Sequence, residues 1–164
     1  MSTIMFMRLI HSPLFERFQA RIFLFIMGFL RRTTFGARAM LVDGKNVLLI
    51  KHTYTAGWMF PGGGVEVGDS ALHTAKKELM EETGYRVLDR GQMLSVYHNL
   101  EASKRDHVAL FVFKEFEQAR QFSPNAEIAE MGWFPLDDLP QDTTDATRRR
   151  IGEYFGGIAI DERW

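Results

Sequence analysis

Apolar positions along the 164-residue chain follow two spacings, and each marks a different kind of element. Phe15, Phe18, Ile22, Phe25/Ile26 and Phe29 recur every three to four residues, the period of a helix with one wide apolar face. From residue 36 the pattern changes. Gly36–Val42 and Asn46–Lys51 are strand-like runs around Asp43-Gly44-Lys45, which predicts a β-hairpin. Ser70–Thr83 returns to helical spacing, with Leu72, Ala75 and Leu79 on the inner face and Gly84 as the stop. Strands are expected at Gln92–His98, His107–Phe116 and Glu130–Phe134. A loop is expected at Glu117–Ala126, a turn at Pro135–Pro140 and a last helix at Thr144–Phe155. Strands interleaved with helices imply an α/β fold, a mixed sheet covered by helices.

Composition narrows the class. Hydrophobic residues at 46% and charged residues at 25% fit one folded domain, not a disordered chain or a coiled coil. Twenty Lys+Arg against 21 Asp+Glu leave a net charge of −1, so nothing electrostatic favours nucleic acid as a partner. The absence of cysteine removes disulfides, thiolate zinc sites and thiol nucleophiles, and is compatible with a cytoplasmic setting. The charge is uneven: residues 1–32 carry five Arg and the single acid Glu16. They also hold the apolar run Ile22–Leu30, nine residues where a membrane-spanning helix needs about 20. Glu16 within the basic leader and Arg31-Arg32 directly after the run do not suit a secretory signal. We therefore expect an amphipathic helical extension over 1–33 ahead of a domain over 34–164. Two docking modes are open to residues 1–32: packing on the domain or a second subunit, or lying on an anionic membrane surface.

The candidate chemistry lies on the central helix. Glu78, Glu81 and Glu82 stand at i, i+3 and i+4, on one side of it, with no basic residue between them. Like charges so placed repel unless a cation neutralises them, and hard divalent cations prefer such oxygen donors. The preceding Pro61-Gly62-Gly63-Gly64 lets backbone approach a ligand closely, offering amides to a phosphate or a carbonyl to a metal. Either element alone is weak; their fixed spacing is specific.

Gly63-x5-Asp69-x7-Lys77-Glu78-Leu79-Met80-Glu81-Glu82-Thr83-Gly84-Tyr85 resembles the box of the Nudix hydrolase family, G-x5-E-x7-R-E-U-x-E-E-x-G-U, with U bulky and apolar. The likeness extends upstream through Gly57-Trp58-Met59-Phe60-Pro61-Gly62 and downstream to Glu127–Phe134, covering about residues 34–155. Two positions depart: Asp69 stands for Glu and Lys77 for Arg, each keeping its charge. Asp69 is expected to cap the helix.

The resemblance implies an α/β/α sandwich that hydrolyses a nucleoside diphosphate linked to another moiety by attack of water on phosphorus, with Mg²⁺ or Mn²⁺. It implies Glu78, Glu81, Glu82 and the Gly64 carbonyl as metal ligands. Gly62, Gly63, Gly64, Lys77 and Trp58 are candidates for holding the phosphates and substrate, and Glu127, with Glu130 beside it, for the general base. Trp58, Tyr97, Phe111 and Trp133 could stack a base or fill the core. A small-molecule nucleotide is the expected substrate; nucleotide sugars, dinucleotides and nucleoside triphosphates all stay open. Two alternatives accompany this reading. One is a nucleotide-binding or regulatory protein with a weakened site, suggested by Asp69 and Lys77. The other is a membrane-surface hydrolase of a lipid-linked diphosphate, suggested by residues 1–32.

Overall fold

The computed structural model describes residues 33–164. The expected helix over residues 1–32, with its membrane or dimer contacts, lies outside the described residues. Among those described, no helix is long and apolar enough to cross a membrane.

Among the described residues, nine strands and two helices build an α/β/α sandwich. The strands are β1 (Thr34–Asp43), β2 (Asn46–His52), β3 (Trp58–Met59), β4 (Gly62–Gly64), β5 (Tyr85–Val87), β6 (Gln92–His98), β7 (Asp106–Phe113), β8 (Phe116–Gln118) and β9 (Ile128–Pro135). The helices are α1 (Ala71–Thr83) and α2 (Asp145–Phe155). The mixed sheet runs β3-β2-β1-β7-β6, with β4 also pairing β1 and β9 also pairing β2. β5 and β8 form a separate antiparallel pair.

The predicted hairpin exists only near its turn. β1 and β2 pair at Val42–Val47 and Asp43–Asn46, while β1 otherwise runs parallel to β7 from Thr34–Asp106 to Leu41–Phe113. A local turn signal specifies the reversal but carries no information about a partner some 70 residues later. The predicted strand His107–Phe116 is likewise two elements, β7 and β8, and part of the expected loop after it is β8.

The central strands are buried on both faces, and alternation divides their side chains between two cores. Ala37, Ala39, Leu41, Leu48, Ala109 and Phe111 pack under Ala75 and Leu79 of α1. Met40, Val42, Val47, Leu49, Leu110 and Val112 pack with Ile151 of α2. The alanines on the first face let α1 lie close to the sheet, which places its acidic side beside the glycine strand β4. Ser70, not Asp69, is the N-cap of α1: its side chain accepts from the His73 N–H at 3.1 Å. Gly84 ends the helix with φ +79°, and a Cβ there would overlap the Arg120 carbonyl.

Candidate active site

Residues 62–64 form a strand because they pair with β1, Gly62 opposite Arg38, Ala37 opposite Gly63 and Gly36 opposite Gly64. Each glycine answers a different demand. Gly62 has φ +144°, and a Cβ there would overlap the Ala37 carbonyl oxygen. A Cβ on Gly63 would stand 2.8 Å from the Glu78 carboxylate carbon, whereas one on Gly64 would meet nothing within 4 Å. Gly62→Ala should therefore cost about 3 kcal/mol or more and abolish activity, because β4 must leave β1. Gly64→Ala should stay within about 0.5 kcal/mol of the parent. Thermal melts of both variants check this contrast.

The three helix carboxylates meet different environments. Glu82 is buried, 5% exposed, and accepts the Gly62 amide N–H at 2.7 Å through Oε2. That amide is thus committed to Glu82 instead of pointing at a ligand. Burial pushes the Glu82 carboxyl up to about 8, against the opposing pull of the Gly62 hydrogen bond and Arg38. Glu78, half-buried over Gly63, lines the main cleft; burial and Glu81 raise its pKa, and neighbouring Lys77 opposes them. Glu81 is exposed and lines, with Glu82 and Arg120, a second cavity of about 300 Å³. The Arg120 guanidinium donates to the Glu81 carbonyl at 2.8 Å, closing the C-terminal turn of α1.

Two residues from outside the helix complete the buried cluster. His52 Nε2 lies 3.8 Å from Glu82 Oε1. Burial, then Arg38, lowers the His52 pKa, so at neutral pH the imidazole is uncharged and the contact is not an ion pair. Its Nδ1 is buried without a hydrogen-bond partner among the described residues. Glu127 stands at the entrance to β9, exposed, with Oε1 accepting the Tyr54 hydroxyl at 3.3 Å. The Asn125 side chain accepts the Glu127 and Ile128 amides, both at 2.8 Å, which holds this carboxylate in place. Ligand atoms of His52, Glu82 and Glu127 all lie within 4.8 Å of one another. Glu130 is elsewhere: it faces Lys51 at 3.9 Å, beside the Lys51–Asp142 ion pair at 2.7 Å.

His52, Tyr54, Glu78 and Glu127 line a cleft of about 410 Å³, a volume suited to a small ligand. Arg38 lines it too, half-buried, donating to the Phe60 and Gly62 carbonyls at 3.2 and 2.7 Å. Burial lowers its pKa, and Glu82 leads the groups that raise it. Arg38 thus clamps the glycine strand from behind while bringing a cation to the acidic cluster. Trp58 is not in the cleft. It is 8% exposed and packs edge-on against Phe134, ring centroids 4.7 Å apart. Tyr97 and Phe111 are buried in the cores, and the Trp133 indole donates to the Tyr85 hydroxyl at 3.0 Å.

The profile of the NUDIX domain matches residues 31–155. The chain belongs to the Nudix family. Among its Nudix relatives, a Bacillus subtilis (strain 168) protein provisionally named an 8-oxo-dGTP diphosphatase is 26% identical over 118 residues, 72% of this chain and 76% of that one. The structure of a MutT NUDIX hydrolase from Burkholderia pseudomallei aligns with TM-score 0.61 and 29% identity, covering 73% of this chain and 95% of that one. A UDP-X diphosphatase structure aligns with TM-score 0.58 and 28% identity, over 76% and 64% of the two chains.

Nudix enzymes use divalent metals, and the donors here fit one. Two carboxyl groups and an imidazole converge, one carboxyl held at raised pKa by burial, and His52 Nδ1 lacks a partner among the described residues. Sequence reasoning gave no role to Arg38 or His52. Neither lies in a motif, and only the pairing of β1 with β4 and the end of β2 bring them to Glu82.

Proposed function

We propose that this Nudix protein is a divalent-metal-dependent hydrolase of the pyrophosphate bond in a nucleoside diphosphate linked to a second moiety: a nucleotide sugar, a dinucleotide or a nucleoside triphosphate. The reading rests on one observation above all, the convergence of Glu82, Glu127 and neutral His52 beside a 410 Å³ cleft that His52, Glu127 and the glycine strand line. Mg²⁺ or Mn²⁺ held by Glu78, Glu81, Glu82 and the Gly64 carbonyl, with His52 and Glu127 within reach, would neutralise the diphosphate and make a water molecule easier to deprotonate. Glu127, exposed and oriented by Tyr54, takes the proton of the attacking water. Arg38 attracts the phosphate oxygens and holds the Gly62 carbonyl in line. Gly63 leaves room for the Glu78 carboxylate, and Lys77 offsets its charge. Trp58 acts through packing beneath the loop. The hydrolase domain is residues 34–164.

A hydrolysis screen with Mg²⁺ and Mn²⁺ tests this, using nucleotide sugars, ADP-ribose, dinucleoside polyphosphates, nucleoside triphosphates and 8-oxo-dGTP. The wild type should release product from at least one class, and Glu127→Gln should lower kcat by about 10²-fold with little change in KM. A folded wild type that cleaves none of them would sink the proposal.

A further inference from the structure

Beyond α2, residues 156–164 lie outside the segment matched by the family profile. They nevertheless build part of the cleft. Trp164 lines the main cavity together with Glu78, Glu127 and Arg38, and it also lines two adjoining cavities of about 340 and 280 Å³. The segment is held as an added edge to β6: the His98 amide donates to the Glu162 carbonyl at 2.8 Å, and the Trp164 amide to the His98 carbonyl at 3.0 Å. Arg149 donates to the Trp164 backbone oxygen at 2.6 Å, and Arg150 to the Arg163 carbonyl at 2.6 Å. The indole packs edge-on against Tyr97, centroids 5.5 Å apart, with the Arg150 guanidinium over it at 5.7 Å. A large ring held by this many contacts loses little freedom when a ligand lands on it.

Of the other aromatic side chains that line the cleft, Phe35 packs into the core under α1, and Tyr54 is exposed but tied to the acidic cluster through its hydroxyl, which donates to Glu127. Near Trp164 the cleft also presents Asn99 and Asp106, bonded to each other at 2.8 Å, with Thr34 donating to Asp106 at 2.6 Å. An aromatic ring beside amide and carboxylate groups suits a planar heterocycle with polar edges.

We propose that Trp164, held by Arg149, Arg150 and Tyr97, is the platform on which the nucleobase of the substrate stacks, so that a segment outside the matched family region sets nucleotide preference. This rests on the hydrolase reading for the orientation of the substrate, but its test does not need turnover. Base–aromatic stacking grows with ring area, so purines should bind better than pyrimidines.

Calorimetric titration of the full chain with AMP, GMP, CMP and UMP should give tighter binding of the two purine nucleotides. Trp164→Ala should weaken AMP about tenfold or more, and Trp164→Phe, which keeps a ring against Tyr97, should recover most of the loss. AMP should quench tryptophan fluorescence in the wild type and not in Trp164→Phe, which retains Trp58 and Trp133. On whichever substrate the wild type cleaves, Trp164→Ala should raise KM about tenfold and leave kcat within twofold. Equal AMP affinity in wild type and Trp164→Ala, or no mononucleotide binding by the wild type, overturns the proposal. So does a loss of kcat with KM unchanged. Should Trp164→Ala fail to fold, the Trp164→Phe quenching and KM values decide alone. AMP binding that depends on Trp164 in a protein without hydrolytic activity would overturn the hydrolase reading and leave this one standing.

Discussion

Glu82→Gln is expected to remove hydrolytic activity, by about 10³-fold or more, while making the metal-free protein more stable at alkaline pH. The first effect follows from the position of Glu82, the acidic group that touches both the glycine strand and His52. Losing a ligand-bearing carboxylate forfeits several kcal/mol of transition-state charge stabilisation, and each 1.4 kcal/mol is a factor of ten in rate. The second effect follows from burial. The Glu82 carboxyl is pushed up from 4.5 to about 8, so folding favours its protonated form. A group with a raised native pKa contributes stability that is complete below about pH 4.5 and is lost as the pH rises through 8. Wild-type, metal-free protein should lose stability over that window, and Glu82→Gln should not. The amide oxygen of Gln can still accept the Gly62 N–H, so the loop stays in place. Mg²⁺ binding at pH 7 should release close to one proton in the wild type and none from this position in the variant. Melts against pH and calorimetry in buffers of different ionisation enthalpy measure both. A variant that keeps its activity would remove Glu82 from the site.

Arg150→Met should be the most destabilising change far from the acidic cluster. Arg150 is fully buried, pairs with Glu153 at 2.7 Å and lies over the Tyr97 ring at 4.2 Å. Glu153 also accepts the Tyr97 hydroxyl at 2.8 Å and the Asp161 amide at 3.0 Å. Burial and the Glu153 carboxylate push the Tyr97 pKa up, so the phenol remains a donor. Removing one partner of such a pair leaves a buried charge uncompensated and costs about 3–5 kcal/mol. For a domain of this size that corresponds to a drop in Tm of roughly 10 °C or more. Combining it with Glu153→Met and Tyr97→Phe should recover most of the loss, because an apolar cluster carries no desolvated charge. A single variant that melts with the wild type would show that the ion pair is dispensable.

Much of the fold and the centre of the site could be read from residue order alone, because both depend on short-range spacing. The acidic run 78–82 needs only helical periodicity to share one side of α1, and the glycines of 62–64 sit a fixed number of residues ahead of it. Caps and stops were nearly as legible: Gly84 ends α1 as expected, and the N-cap differs by a single residue, Ser70 for Asp69. Aromatic roles were not. Trp58 and Trp133 are chemically equivalent to Trp164 as sequence letters, and only their places in the packing separate core from cleft.

The sequence by itself therefore determined the family, the helix that carries the carboxylates and the glycine-rich segment ahead of it, since each is set by spacing along the chain. The tertiary structure decided what surrounds them. Parallel pairing of β1 with β7 and antiparallel pairing with β4 bring Arg38 to Glu82; the end of β2 brings His52; Thr53 and Tyr54 hold Glu127; and the strand-like segment after α2 delivers Trp164. These are contacts between residues 24 to 74 positions apart, whose burial decides which carboxyl keeps its proton and which ring lines the cleft. No local pattern encodes them.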